Sequence, residues 1–376
     1  MTTTTENQSD SVSTKKTPLL SLTLKEFEER MLSQFGEPPY RARQVWEWIF
    51  SKSVLEFEKM NNVPMPLRER LAKEFTVLSS TIARKQIAND KTGKILVEFA
   101  DGQQVESVLI REEDRLTACI STQAGCPIGC VFCASGRDGL ARSLEDYEMV
   151  EQMLHLRSIL QGSRQRITHL VVMGMGEPML NLKNLGRALL VVNDPKCFNI
   201  GQRHVTVSTV GFPKQIEELA AMDHQWNLAI SLHAPNDELR LKLIPTSKGI
   251  APLLEAAKKY YEATKREVTF EYTLLKGVND SPFHARDLAK LVRGFPCLVN
   301  LIPMNPVEGS GYEPPSPKVS DTFAELLKKS GVRVTLRKEK GAEIAAACGQ
   351  LRLQAKKPAP RRPPGDVKIK FKPKRT

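Results

Sequence analysis

The chain has 376 residues, a formal net charge of +12 from 55 basic and 43 acidic residues, and seven cysteines. That length holds one large domain with a small accessory one; no apolar run reaches membrane-spanning length, and the Thr/Ser-rich start from Met1 to Lys16 lacks the apolar stretch of a secretory signal. Seven cysteines in a chain of this kind do not form a disulfide framework; they predict a reducing, cytoplasmic setting in which clustered thiols hold metal or do chemistry.

In chain order, residues 1–18 read as a disordered leader. A helical accessory domain is expected over 19–80. Leu24, Phe27, Met31 and Leu32 recur at helix spacing, as do Val45, Trp46, Ile49 and Phe50, with Pro38 and Pro39 breaking the chain between them. The segment Tyr40–Trp46 puts basic and aromatic side chains on one short helix, which suits an RNA-facing surface or a core helix with a solvated basic edge. Residues 81–112 read as a β-hairpin extension, with Asp101-Gly102 as its turn signal.

From 113 to 352 strand-like apolar runs alternate with helical stretches. The runs are 116–121, 167–174, 204–211, 227–233, 268–275, 297–304 and 332–337, and the segments 144–160 and 182–193 are long enough for crossover helices. This βα repetition predicts an α/β fold, a partial parallel barrel of TIM type whose chemistry sits at the C-terminal strand ends. Cys126, Glu177, Ser208, His233 and Asn305 fall at those ends. The tail, 353–376, is Pro-rich and predicted to be disordered. From Lys356 to Thr376 it holds nine Lys/Arg against one acid, Asp366, so it carries most of the excess charge. It reads as a solubility tail or as an arm for the phosphates of a nucleic acid.

Cys126, Cys130 and Cys133 have the spacing C-x3-C-x2-C. Three thiolates in one loop suit an iron–sulfur cluster or zinc. A structural zinc site wants four ligands in paired spacing, and no fourth Cys or His lies close by. Three ligands leave one metal corner open for a substrate or cofactor. Met173-Gly174-Met175-Gly176-Glu177-Pro178 follows an apolar run, and its glycines admit close backbone approach to a ligand. Ser208, Ser231-Leu232-His233 and Asn305 sit at later strand ends, where each alone reads as a satisfied local polar group.

Together these residues resemble the radical S-adenosylmethionine (radical SAM) dual-specificity RNA methyltransferases, which methylate adenine C2 in large-subunit ribosomal RNA and in tRNA. The resemblance rests on Val105-Glu106-Ser107, Cys119, the three-cysteine loop and 173–178. It also rests on 207–211, Ser231 to Asn236, 302–306 and Ala346-Ala347-Cys348-Gly349-Gln350-Leu351. It spans roughly 25–351. It implies one 4Fe-4S cluster on Cys126, Cys130 and Cys133, and two molecules of S-adenosyl-L-methionine per turnover, bound by Gly176, Glu177, Ser208, Ser231, Leu232, His233 and Asn305.

The implied chemistry has two stages, because adenine C2 is not a nucleophile. One cofactor methylates Cys348; a second, cleaved reductively, yields the radical that activates that methyl for addition to the base. Cys119 then attacks the Cys348 sulfur, releasing product through a transient disulfide, and Glu106 removes the ring proton. Alone, Cys119 would read as a buried strand thiol, whereas Cys348 sits in an accessible small-residue loop. Cys197 and Cys297 match no family position and read as structural. Lys340 and Glu343 replace an arginine and an aspartate common in the family.

The implied partners are ribosomal RNA, tRNA at the adenosine next to the anticodon, and an electron donor such as flavodoxin or ferredoxin. No membrane is involved, and the protein is expected to be a monomer. The alternatives at this level are adenine C8 methylation by the same mechanism, a radical enzyme acting on a non-RNA substrate, and a metal-stabilised RNA-binding protein without catalysis.

Overall fold

The structure is a computed structural model that describes residues 16–337 and 340–351. Most of the expected leader and the whole basic tail lie outside these residues. The first elements are β1 (Thr17–Pro18), α1 (Leu24–Ser33), α2 (Tyr40–Phe50), α3 (Met65–Glu74) and β2 (Phe75–Thr76). Thr23 starts α1 with a capping box: its Oγ1 accepts from Glu26 N at 3.2 Å while Thr23 N donates to the Glu26 carboxylate at 2.7 Å. The helices turn Phe27, Met31, Val45, Trp46, Ile49, Leu67 and Leu71 into a shared core. The expected leader is too long by two residues, because Thr17 and Pro18 pair in parallel with Phe75 and Thr76. The basic–aromatic segment divides by face. Val45 and Trp46 are buried, Tyr40 and Arg43 are exposed, and Arg41 lies 4.8 Å from the Tyr40 ring.

The rest of the chain builds one sheet. Its strands are β3 (Thr81–Ile87), β4 (Gly93–Glu98), β5 (Gln104–Arg111), β6 (Leu116–Cys119), β9 (His169–Val172), β10 (Val205–Thr209), β11 (Asn227–Ser231), β12 (Val268–Leu274), β13 (Cys297–Pro303) and β14 (Arg333–Leu336). A small hairpin, β7 (Gln123–Gly125) with β8 (Leu140–Ser143), interrupts it after β6. The spatial order is β14-β13-β12-β11-β10-β9-β6-β5-β4-β3. From β6 to β14 every pairing is parallel, and from β3 to β6 every pairing is antiparallel. This is the expected partial barrel, open between β14 and β3. The expected hairpin extension is continuous with it, since β5 pairs directly with β6.

Crossover helices follow the parallel strands: α4 (Asp146–Ser158) comes before β9, and α5 (Leu182–Asn193), α6 (Pro213–Ala221), α7 (Asp237–Leu243), α8 (Ile250–Thr264), α9 (Pro282–Leu291) and α10 (Pro317–Lys329) come after it. α4 is buried almost all round and passes behind the antiparallel strands. Its Gln152 accepts from Ser107 Oγ and from Ser121 N, each at 2.8 Å. Side chains alternate across a strand, so Ser107 on the helix side puts Glu106 on the concave side, in line with the barrel interior. Glu151 of α4 is also buried and accepts from Ser79 N at 2.8 Å, tying the first helices to the sheet.

Candidate active site

Strand ends of the parallel half converge on one cavity. Cys126, Cys130 and Cys133 line it, with Gly176, Glu177, Ser208, Ser231, His233, Asn305 and Cys348. The structure therefore brings together nearly all of the candidates read from sequence. Three candidates lie elsewhere: Cys119 and Glu106 line neighbouring cavities, and Leu232 is fully buried, lines none of them, and contributes a backbone N–H to Glu271 O at 3.0 Å.

The cysteine loop leaves β7 at Gly125, whose φ of +81° and position against Gly139 O, 2.0 Å from where a Cβ would stand, leave room for glycine only. Cys126 N then donates to Gly139 O at 2.9 Å, and Cys133 N to Cys130 O at 3.1 Å. Ile128, Phe132, Ala134, Val210, Leu243, Leu275 and Met304 form a separate apolar cluster against which the three cysteines pack. Burial pushes all three thiols up, Cys126 to about 12; bound iron reverses that logic by deprotonating a coordinating thiol.

The residues fit a cluster. Three thiols face one cavity and pack against an apolar cluster, and a multi-iron cluster takes each thiolate on a different iron. Among the described residues no three His, Cys, Asp or Glu side chains converge closely enough to hold a single metal ion.

Glu177 is placed as a strut. Its carboxylate accepts from Met179 N at 3.0 Å and from Val210 N at 2.9 Å, which ties the turn after β9 to the end of β10. Burial raises its pKa to about 7. Gly176 lines the cavity with φ +103°, and a Cβ there would lie 2.6 Å from Gln123 Cβ. His233 is buried with φ +57°. Its Nδ1 accepts from Thr273 N at 2.9 Å, so the neutral ring carries its proton on Nε2. Burial, then the charge of Arg240, pulls its pKa down to about 3. Asn305 donates from Nδ2 to Cys348 O at 2.9 Å, so it holds the chain that carries Cys348.

That chain, 340–351, is a strap across the open side of the barrel. At one end Gly341 N donates to Asp90 Oδ2 at 3.0 Å, and Lys94 Nζ to Ala345 O at 3.1 Å. At the other end Ala134 N donates to Gly349 O at 2.7 Å and Ser135 Oγ to Leu351 O at 2.8 Å, so the strap's far end is fixed to the cysteine loop. Cys348 thus lines the cluster cavity and also a second one, shared with Cys119, Asn305, Arg337 and Lys340. Cys119 ends β6 and is buried, which lifts its thiol to about 12. Both thiols are unbridged.

Glu106 stands apart from these two cavities. It lines a third, with Arg84, Gln86, Lys94 and Gln104, on the same concave face. Lys94 Nζ lies 2.9 Å from its Oε1, and both side chains are buried. Cys197 and Cys297 line none of these three cavities; Cys197 Sγ accepts from Trp46 Nε1 at 3.3 Å.

Three functional neighbours carried no signal in the sequence. Lys94 and Arg240 are charged residues that look like surface positions yet are buried. Arg240 donates to Leu232 O and Ser231 O, each at 3.2 Å, and to Val210 O, binding the ends of β10 and β11 together. Arg337, just after β14, lines both the cluster cavity and the thiol cavity.

Comparison with known proteins places this geometry. Residues 120–288 match the radical SAM superfamily, and residues 17–77 match the ribosomal RNA large subunit methyltransferase N-terminal domain. The chain is 45% identical over 350 residues to a protein of Rhodopirellula baltica named "Probable dual-specificity RNA methyltransferase RlmN", covering 93% of this chain and 94% of that one. A Geobacillus kaustophilus protein with the same name is 45% identical over 341 residues, covering 90% and 93%. The crystal structure of a radical SAM methyltransferase from Sphaerobacter thermophilus superposes with a TM-score of 0.86 at 41% identity, covering 89% of this chain and 99% of that chain.

Proposed function

Because the chain belongs to the dual-specificity RNA methyltransferase family of the radical SAM superfamily, we propose that its three cavities divide one methyl transfer among them. The enzyme methylates adenine C2 in large-subunit ribosomal RNA and in tRNA, with a 4Fe-4S cluster and S-adenosyl-L-methionine as cofactors. When bound, the cluster and cofactor supply the methyl group and the radical that activates it.

The residues of the chain do the rest. Cys126, Cys130 and Cys133 hold the cluster, backed by the apolar residues they pack against. Gly176, Ser208, Ser231 and His233 line the place for the cofactor, with neutral His233 offering an Nε2–H donor. Glu177 braces that wall with its carboxylate on the N–H groups of Met179 and Val210, and Leu232 supports it through its own backbone N–H. Cys348 carries the methyl between the cluster cavity and the RNA base. Cys119 attacks the Cys348 sulfur to release the product, and Glu106 takes the ring proton. The observation that carries this reading is the position of Cys348: it is the one cysteine that opens on both the cavity of the cluster ligands and the cavity of Cys119.

The accessory helices, 19–80, and the residues beyond the strap are the proposed RNA contacts. A low-potential carrier of flavodoxin or ferredoxin type supplies the electron. The protein acts as a monomer in the cytoplasm, where these RNAs are. Among the described residues no helix is long and apolar enough to cross a membrane. The test is to incubate reconstituted enzyme, reductant and methyl-labelled cofactor with unmodified ribosomal RNA and tRNA, then locate the label by mass spectrometry of the digested RNA. Label at C2 supports the reading; label at C8, or none in RNA, overturns it.

A further inference from the structure

Lys94 is 2% exposed, on the concave face of β4. A buried ammonium is costly unless charge and hydrogen bonds compensate it. Its Nζ meets two groups that belong to different parts of the reaction: the Glu106 carboxylate at 2.9 Å and Ala345 O at 3.1 Å. Ala345 lies three residues before Cys348 and has φ +50°, a left-handed turn unusual for alanine. A single cation therefore joins the group that must accept a proton to the strap that delivers the methyl.

The two groups have to meet the same adenine. A base works only within hydrogen-bond reach of the proton it removes. The methyl-bearing sulfur must stand at the same ring carbon, because the proton leaves the atom that the methyl joins. Glu106 is on a strand, Cys348 is on a loop, and the strand itself does not fix the loop. We propose that Lys94 is a positioning residue for the RNA-directed half of the reaction: it sets the distance between Glu106 and the Cys348 strap. The inference rests on Glu106 as the base. A buried pair kept only for the fold would have no reason to reach a carbonyl of the strap. A misplacement of about 1 Å in such a relation costs about 100-fold in rate.

The role separates Lys94 from the first half of the reaction, the methylation of Cys348, which does not use Glu106. Reconstituted full-length Lys94→Met, Lys94→Arg and Glu106→Gln would be compared with the unaltered enzyme. Three readouts apply: methyl on Cys348 by intact mass, cluster absorbance, and the rate and KM for methylated adenosine in a ribosomal RNA fragment. We expect Lys94→Met to keep the cluster and to acquire the Cys348 methyl to the same final extent, with at most a several-fold slower approach. It should form RNA product about 100-fold more slowly at saturating RNA, with little change in KM. Lys94→Arg, which keeps the charge, should recover about a tenth of the unaltered rate or more.

The proposal is overturned if Lys94→Met makes product at the unaltered rate while Glu106→Gln does not. It is also overturned if Lys94→Met loses cluster, Cys348 methyl and product in step, since that marks a structural role. Product at the unaltered rate from Glu106→Gln removes Glu106 as the base, and the positioning role of Lys94 falls with it.

Discussion

Cys119 and Cys348 line one cavity although 229 positions separate them in the chain, and Cys348 alone of the two also lines the cavity of Cys126, Cys130 and Cys133. A thiol on a strand end is fixed, while a thiol on a strap can serve two places. On the proposed function the stationary part falls to Cys119 and the carrying part to Cys348.

Removing each thiol should therefore stop the reaction at a different stage. Cys119→Ala should still acquire the methyl on Cys348 and should then retain RNA covalently, because nothing displaces the Cys348 sulfur. Cys348→Ala should acquire neither. Denaturing gels of enzyme incubated with labelled RNA, together with intact mass, distinguish the two. Free RNA product from Cys119→Ala at the unaltered rate would remove its assigned role.

Gly176→Ala should damage the turn after β9. The alanine Cβ would stand 2.6 Å from Gln123 Cβ, at a φ of +103°. A cost of about 1–3 kcal/mol is expected from the conformation alone. It should appear as a lower Tm and weaker cofactor binding, with the cysteine loop still able to take up iron. An unchanged Tm would show that the turn relaxes freely.

Asn305→Ala removes the bond from Nδ2 to Cys348 O and should loosen the strap by about 1 kcal/mol. Amide exchange in 345–351 should accelerate, and methylation of Cys348 should slow by several-fold. Asn305→Asp should be worse, since it sets a carboxylate oxygen against a carbonyl. Equal exchange in all three proteins would mean the bond does not hold the strap.

His233 gives the acid side of the stability profile a definite sign. Its folded pKa is depressed to about 3, below the ordinary value near 6.5, chiefly by burial. The unfolded chain therefore binds more protons between about 6.5 and 3, and stability falls as pH is lowered through that window. The slope from this group approaches about 1 kcal/mol per pH unit. Urea titrations of His233→Asn should lose that share of the slope; an identical slope would show that His233 titrates normally.

The parallel half of the fold was legible because its central strands β11 and β12 are largely buried on both faces and its other strands still read as apolar runs. The run 182–193 has the same limits as the observed α5. Cys126, Cys130 and Cys133 announced themselves by spacing, and the strand-end rule placed Ser208, His233 and Asn305 beside them. Buried charge was not legible. Lys94 and Arg240 belong to residue types that are almost always exposed, and only the three-dimensional partners reveal them: Glu106 and Ala345 O for one, the ends of β10 and β11 for the other. Nor did local sequence show that Asn305 binds the strap, because Cys348 O is 43 positions away. Thr17 and Pro18 looked like leader because a two-residue strand has no periodicity to detect.

The strap's attachments give the ring of secondary structure a designed weak point. Between neighbouring strands the ring is sealed by ladders, such as the seven-position register of β12 with β13. Between β14 and the turn after β3 the described residues join through the contacts of Asp90 with Gly341, Asn89 with Glu343 and Lys94 with Ala345. At about 1 kcal/mol for each such bond, this seam parts long before any ladder does. A polymer too long to be threaded through a closed ring meets its easiest entry at this side seam, and the segment it would displace there is the one that bears Cys348.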